Sequence, residues 1–175
     1  MAMSEALSNQ EVQAAWAKLS EDARTGVLLT LRDERPFGSH VPYVFGKDWT
    51  HACIHVSRLA LHTEHLLHDP RVGPFVSKQD QPGKSPMVLR RMNLQGEGAL
   101  LNVNAPNYAE VRAQYLARFS QSALMFGFAD CALWELRLQD AHVVLGFGQS
   151  YLADATTPLT GVHQKPNTKS VKGET

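Results

Sequence analysis

The sequence predicts a mainly β protein, an antiparallel barrel with helices at its periphery, and three observations support this. Short apolar runs of strand length recur along most of the chain, separated by turn residues. The three helical patterns do not alternate regularly with the strands, which disfavours a parallel doubly wound sheet. The chain has 175 residues, 43% hydrophobic and 19% charged, which suits one domain and excludes intrinsic disorder.

The first part of the chain predicts one helix followed by three strands. Ser8 and Glu11 have the spacing of a capping box, and apolar residues follow at helical intervals, so a helix is expected at about 8–19. Short strands joined by tight turns favour an antiparallel meander. The strands are expected at 25–31, 40–45 and 51–56, with turns at 33–38 and 46–50.

The hydrophobic pattern changes to a helical period after the third strand. A second helix is expected at 59–68, with Ser57 as its cap and Asp69-Pro70 as its end. A third helix opens at 104–106, with Pro106 in its first turn. The remaining strands are expected at 72–77, at 87–103 with a bend or bulge near Gly96 and Gly98, and at 128–138 and 142–151 around a Gln139-Asp140 turn.

These elements make residues 1–151 a single expected domain, followed by a polar tail at 152–175. The tail holds no aromatic side chain and many Thr, Lys, Pro and Gly residues. Composition alone favours disorder there. An ordered tail would need a surface to pack on, and we hypothesise that a second subunit provides it.

Charge and cysteine content exclude several classes of function. Seventeen Lys and Arg balance 17 Asp and Glu, so there is no basic surplus for nucleic acid or an anionic membrane. Cys53 and Cys131 each lie in an apolar run, which favours neither a disulfide framework nor a cysteine zinc site. With neither a membrane-length apolar stretch nor a leader pattern, the expected location is the cytoplasm.

Familiar catalytic and metal-binding patterns are weak in this sequence. His62, His65 and His68 are spaced by three on the second helix, so at most two could share a metal well, and we expect no metal site. There is no Gly-x-Ser-x-Gly nucleophile motif. The segment Gly146-Phe147-Gly148 lacks the third glycine and the following helix of a dinucleotide fingerprint.

The junction between the third strand and the second helix has the chemistry of an anion site. A helix N-terminus presents backbone N–H groups and a positive dipole end, both of which favour a phosphate. An ordinary capped helix with a solvated arginine explains the same pattern equally well. The side chains gathered there are Ser57, Arg58, His62 and Thr63.

Four blocks of the sequence come in the order and spacing of a known family. They are SHVPY at 39–43, SRLALHTEHLLHDPR at 57–71, RMNLQG at 91–96 and GFGQ at 146–149. They resemble the pyridoxamine 5'-phosphate oxidase-like flavoproteins, and most closely the branch that contains haem-utilisation proteins. The resemblance implies a split β-barrel that binds FMN without a covalent bond, usually as a homodimer with the flavin between subunits.

The resemblance also implies a set of FMN-binding residues. Ser39 and Val41 would contact the flavin and its ribityl chain, and Arg91 would hydrogen-bond the isoalloxazine ring. His62 stands where the oxidases proper place a lysine, and Gln149 where relatives often carry a basic residue. The full set is Ser39, Val41, Val56, Ser57, Arg58, His62, Thr63, Arg91 and Gln149.

The expected function is a flavin-dependent redox reaction on a small-molecule substrate, in which the flavin supplies the chemistry. No acid or base stands out as catalytic. The oxidases' arginine- and histidine-bearing C-terminal strand has no clear counterpart after Gly148, so pyridoxal formation is not expected. Two alternatives stay open: a haem-binding or haem-degrading protein, with His163 as candidate axial ligand, and a non-catalytic FMN carrier or sensor.

Overall fold

The computed structural model describes residues 6–154 and 162–163 of the chain, and these residues form the expected mainly β fold. All strand pairs are antiparallel, and the sheet curls into a half-barrel. The helices are α1 (Asn9–Asp22), α2 (Leu61–His68) and α3 (Tyr108–Arg118). The strands are β1 (Thr25–Arg32), β2 (Arg35–Pro42), β3 (Val44–Phe45), β4 (His51–Ser57), β5 (Arg71–Ser77), β6 (Arg91–Leu100), β7 (Cys131–Gly146), β8 (Gln149–Asp154) and β9 (Val162–His163).

The strand order places β7 at the centre of the architecture. The main path runs β2-β1-β5-β6-β7-β4-β3, and β8 pairs with β7 beyond this path. Residues 134–144 of this 16-residue strand pair with β6, while its first half also pairs with β4 and its second half with β8. β7 therefore joins the β6 side of the sheet to both β4 and β8.

The predicted turn at Gln139-Asp140 is wrong, because both residues lie inside β7. Gln95 pairs with Asp140 and Gly96 with Leu138, so Gln139 is the extra residue of a bulge. A bulge bends a strand without ending it, and it tolerates polar side chains. The actual turn lies at 146–148, where both glycines have positive φ.

Two further predicted turns and caps differ from the structure. The turn expected at 33–38 is reduced to Asp33 and Glu34, whose φ angles are 48° and 62°, and Pro36 lies in the edge strand β2. An edge strand tolerates proline because its missing N–H faces away from the ladder. Helix α2 is capped by Ala60 rather than Ser57, which is the last residue of β4.

The third helix and the long strand before it also begin later than expected. Helix α3 has Asn107 as its N-cap, so Pro106 precedes the helix instead of lying in its first turn. A short 3₁₀ turn, Pro86–Val88, occupies the beginning of the expected strand, and β6 begins at Arg91. The Gly96 irregularity lies where the sequence predicted a bend.

Helix α1 closes one end of the half-barrel. Its predicted capping box is present: the Ser8 hydroxyl accepts from the Glu11 N–H at 3.3 Å, and the Glu11 carboxylate accepts from the Ser8 N–H at 2.8 Å. Trp16 is buried and meets Trp49 edge-on, with ring centroids 5.9 Å apart. The Leu7 N–H donates to the Tyr151 hydroxyl of β8 at 2.9 Å, which ties the start of the helix to the sheet.

Strand β4 separates two apolar clusters. Ile54 and Val56 belong to the cluster inside the half-barrel, whereas Cys53 belongs to a second cluster beneath α3. Successive strand residues point to opposite faces, so a strand buried on both sides reads as a continuous apolar run. This explains why the sequence shows little alternation there.

Strand structure continues into the expected C-terminal tail. Residues 152–154 complete β8, and Val162–His163 form β9 beside it. The rest of the predicted tail, and the hypothesis that it packs on a second subunit, lie outside the described residues. Among the helices described, none has both the length and the apolar character needed to cross a membrane.

Candidate functional site

The predicted anion site is a corner built from two segments, 57–63 and 128–131. Ser57 pairs with Cys131 at the start of β7. The Ser57 hydroxyl donates to the Asp130 carboxylate at 2.8 Å and accepts from the Leu59 N–H at 3.1 Å. The Arg58 N–H donates to the Asp130 carbonyl at 2.6 Å, so both segments are fixed to each other.

Several donors in this corner already bond within the protein. The Thr63 hydroxyl donates to the Ser57 carbonyl at 2.7 Å, and Thr63 is buried. The Ala60 N–H also donates to the Ser57 carbonyl. Within the described chain, the N–H groups of Leu61 and His62 have no such acceptor, as expected for the first turn of a helix. These two groups are the backbone donors that α2 offers to an anion.

His62 supplies a polar atom that needs a partner. Its Nε2 is buried and has no hydrogen-bond partner in the described part of the chain. Burial disfavours the charged imidazole and lowers its pKa, and the nearby His65 lowers that pKa further. A buried polar atom without a partner is costly, so this nitrogen has the capacity for one further hydrogen bond.

Ser39 and Val41 lie on the inner face of β2, on the wall that α2 packs against. They pair with Leu28 and Gly26 of β1, and Val41 is buried. The His65 ring of α2 meets Phe37 of β2 edge-on at 5.0 Å. Ser39, two residues along the same face, therefore belongs to the α2 end of the molecule.

Arg91 and Gln149 lie at the opposite end of β7 from this corner. Arg91 pairs with Val144 and Gln149 with Gly146, whereas Ser57 pairs with the first residue of the same strand. The Arg91 guanidinium donates to the Leu89 carbonyl at 3.0 Å, and the buried Gln149 amide oxygen accepts from the Tyr151 hydroxyl. Within one chain, the predicted FMN-binding residues therefore fall into two groups at opposite ends of β7, and Arg91 and Gln149 form the second group.

The three histidines of α2 do not converge. The His65 Nδ1 lies 3.0 Å from the Thr30 hydroxyl, and the His68 Nδ1 lies 2.8 Å from the Glu64 carbonyl. Among the described residues, no three His, Cys, Asp or Glu side chains lie close enough together to hold a metal ion.

Sequence reasoning missed Asp130 and the apolar rim around the corner. The rim consists of Leu59 and Phe128, which are 85% and 57% exposed. Leu59 and Phe128 each lie two residues from a partner of the Ser57–Asp130 hydrogen bond. No local motif marks these residues, because the pairing of β4 with β7 brings their two segments together.

His55 is buried on the outer face of β4. The His55 ring stacks on Phe126, with centroids 3.8 Å apart and planes at 4°, and its Nδ1 is buried without a partner in the described chain. The Arg112 guanidinium lies 4.9 Å from the Phe126 centroid. Burial lowers the pKa of His55, and the charge of Arg112 adds to this effect.

Similar folds occur in solved structures that bind haem. A haem-binding protein from Mycobacterium smegmatis has 22% identity and a TM-score of 0.74 over 89% of this chain and 62% of that one. HutZ, the haem storage protein from Vibrio cholerae, has 19% identity and a TM-score of 0.64 over 73% of this chain and 90% of that one. The chain thus spans less than two thirds of the mycobacterial protein.

Flavin-related structures also share the fold. An FAD-binding protein from Mesorhizobium loti has 16% identity and a TM-score of 0.59 over 77% of this chain and 90% of that one. A candidate pyridoxamine 5'-phosphate oxidase from Listeria innocua has 10% identity and a TM-score of 0.58 over 77% of this chain and 99% of that one. No family model and no curated protein matches the sequence. At these identities the likeness concerns the fold.

Proposed function

We propose that this chain, whose fold is the split β-barrel of the pyridoxamine 5'-phosphate oxidase-like proteins, binds FMN and uses it for a redox reaction on a small molecule. The observation that carries the proposal is the corner at the end of β4. There the N–H groups of Leu61 and His62 at the start of α2 are unbonded in the described chain, and the His62 side chain on the same turn has a buried nitrogen without a partner. Such donors suit an anion at a helix N-terminus.

The residues present fit the phosphate end of FMN. The N–H groups of Leu61 and His62 would hold the phosphate, with the His62 ring as a further donor. The exposed Arg58 adds a positive charge at the same turn. Ser57 can donate as well once its hydroxyl leaves Asp130, whereas Thr63 keeps its bond to the Ser57 carbonyl and supports the turn.

The remainder of the flavin would need a second copy of the chain. Arg91 and Gln149 lie too far along β7 to reach a flavin held at Ser57 of the same chain. A homodimer that sets the Ser57 end of one chain against the Arg91 end of the other would reunite the predicted set. The exposed Leu59 and Phe128 beside the corner support such an interface.

FMN, when bound, supplies hydride or electron transfer. The chain itself would position the cofactor and exclude water. The inner face formed by Ser39, Val41 and Val56 would line the ribityl side, where Val41 and Val56 are buried apolar groups. None of the described titratable groups is assigned a catalytic role.

The experiment is a titration of the purified chain with FMN, followed by flavin absorbance and fluorescence. Saturable binding is expected. The double variant Ser57→Ala/His62→Ala should weaken it by about 1–3 kcal/mol, because two hydrogen bonds to an anion are lost. Ser122→Ala, at a half-buried serine of the 3₁₀ segment Ser120–Gly127, is the control and should bind normally. Unchanged affinity in the double variant would refute the phosphate assignment.

Haem binding is the second candidate, because haem-binding proteins are among the similar folds. His163 is the proposed axial ligand; its backbone pairs with Tyr151 of β8, and its side chain lies outside the described residues. A Soret band after haem addition would support this function. If His163→Ala leaves the haem spectrum unaltered, another residue holds the iron.

A non-catalytic FMN carrier would instead bind flavin without turning over any reductant.

A further inference from the structure

A large open cleft lies at the α1 end of the molecule, away from the Ser57 corner. Its volume is about 890 Å³, and its walls are the end of α1, the start of β1, His40 of β2 and the segment 77–90 after β5. That volume falls within the range of small-molecule sites, about 300–1,000 Å³. The cleft is therefore large enough for a metabolite.

The lining of the cleft is strongly basic although the whole chain is neutral. The chain balances 17 basic against 17 acidic residues. Four cationic side chains and one carboxylate line the cleft, so its positive charge is local and not a property of the surface in general. The cations are Arg24, Lys78, Lys84 and Arg90, and the carboxylate is Asp22.

The single carboxylate is already neutralised. Asp22 lies 2.8 Å from the Lys18 ammonium and 3.5 Å from that of Lys78. The hydrogen bond from Lys18 lowers the pKa of Asp22, so it stays charged and holds Lys78 in place. Lys84 and Arg90 have no carboxylate partner in the part of the chain that the structure describes. These two cations are left to meet a ligand.

One further cation is held in a fixed position, and neutral donors complete the lining. The Arg24 guanidinium donates to the Arg118 carbonyl at 3.0 Å and lies 5.1 Å from the Phe119 ring centroid. Thr25 and Ser85 contribute hydroxyls, and Gln79 an amide. A site with several cations and hydroxyls is suited to an anion with more than one charge.

We infer that this cleft binds a small molecule that carries several negative charges, as phosphates or carboxylates. Lys84 and Arg90 contact the anionic groups directly, and the Asp22-anchored Lys78 adds a third positive charge. The Val88 side chain, 41% exposed at the lip of the cleft, offers an apolar contact for the rest of the ligand. None of the predicted FMN-binding residues lines the cleft, although Arg90 directly precedes Arg91. The inference is therefore separate from FMN binding at the Ser57 corner, and FMN serves as a competitor in its test.

The test is isothermal titration of the full chain with pyrophosphate and, separately, with citrate. Saturable binding of either probe is expected, weaker at higher salt because the charges are exposed. The probe that binds more tightly shows whether the cleft prefers phosphate or carboxylate groups. Lys84→Gln/Arg90→Gln should weaken binding at least about tenfold, since two charge-assisted contacts are lost.

The control is Arg32→Gln/Arg35→Gln, which removes the same charge from the β1–β2 hairpin outside the cleft. It should bind the probe as the unchanged chain does, and circular dichroism should show both variants folded. Failure of both probes to saturate would overturn the inference, as would equal weakening in the two variants. Displacement of the probe by FMN would also overturn it, because the cleft would then belong to the flavin site.

Discussion

At the scale of single residues, Asp130 brings a negative charge into the corner proposed for the FMN phosphate. Its carboxylate accepts a hydrogen bond from the Ser57 hydroxyl, with the two oxygens 2.8 Å apart, and a phosphate at Ser57 would lie beside it. Two like unit charges about 4 Å apart repel each other by about 1 kcal/mol in bulk water and by about 4 kcal/mol near a protein surface. We therefore expect Asp130→Asn to tighten FMN binding at least about fivefold.

Riboflavin, which lacks the phosphate, is the control ligand for this prediction. Its affinity should be the same in the Asp130→Asn variant and in the unchanged chain. Both are measured by quenching of flavin fluorescence. If the variant gained equally for both ligands, or for neither, Asp130 would not act on the phosphate.

His55 makes stability depend on pH. Its pKa lies below the ordinary value of 6.5 because the ring is buried and Arg112 lies close by. The unfolded chain therefore binds more protons than the folded chain at pH values between the lowered pKa and 6.5. Stability should fall as the pH drops below about 6.5 and stop falling below the folded-state pKa.

A phenylalanine at this position would keep the stacking on Phe126 but could not take up a proton. His55→Phe should therefore lose less stability than the unchanged chain between pH 7.5 and pH 5, measured by urea denaturation. His62, whose pKa is also lowered, still makes the free energy of unfolding of the variant depend on pH. If the free energy of unfolding changed equally with pH in the two chains, His55 would not contribute to the pH dependence of stability.

At the scale of secondary-structure elements, Gly96 allows β6 and β7 to approach at the bulge. A methyl group on Gly96 would overlap the Arg137 carbonyl oxygen and lie 2.9 Å from its carbon. The obstacle is backbone, which cannot rotate away, so Gly96→Ala should lower the free energy of unfolding by about 2–3 kcal/mol. Thermal or urea denaturation measures this loss.

Gly127 offers the matched control. A methyl group there meets no atom within 4 Å, and its φ is not in the left-handed region. Gly127→Ala should therefore leave stability almost unchanged. If both variants unfolded alike, close approach at the bulge would not explain the need for glycine.

The elements that local chemistry determines could be predicted from the sequence. The Ser8–Glu11 capping box and the helical period gave α1, which runs three residues beyond the expected end. The Gln139-Asp140 pair predicted a turn but lies at a bulge within β7, because polar residues occur both in turns and in bulges. Only the partner strand decides between the two, and no local pattern specifies that partner.

The candidate site was predictable to the same degree. Residues 57–63 are contiguous in sequence, so their proximity followed from local structure. Asp130 and the basic cleft depend on segments distant in the chain, which meet only after the sheet has formed. Arg91 and Gln149 matched a family pattern, yet within one chain they lie at the other end of β7.

At the scale of the whole molecule, the apolar rim should control both assembly and flavin binding. Leu59→Glu/Phe128→Glu places two charges beside the Ser57–Asp130 contact, at positions that are exposed in a single chain. If this surface is the dimer interface, the variant should be monomeric by sedimentation and bind FMN at least about tenfold more weakly.

Leu67→Glu, exposed on the last turn of α2, is the control and should keep both properties. A variant that stays dimeric would place the interface elsewhere. A monomer that binds FMN as tightly as the unchanged chain would refute a flavin shared between subunits.

The long central strand has a consequence for how the molecule comes apart. Since β7 is flanked by neighbours along both edges, its amide protons should be the slowest to exchange with deuterated water. The exposed loop from Lys78 to Leu89 joins β5 to β6, which are themselves paired. A protease that cleaves this loop would leave two fragments held together by the hydrogen bonds between β5 and β6. We expect the fragments to separate only in denaturant.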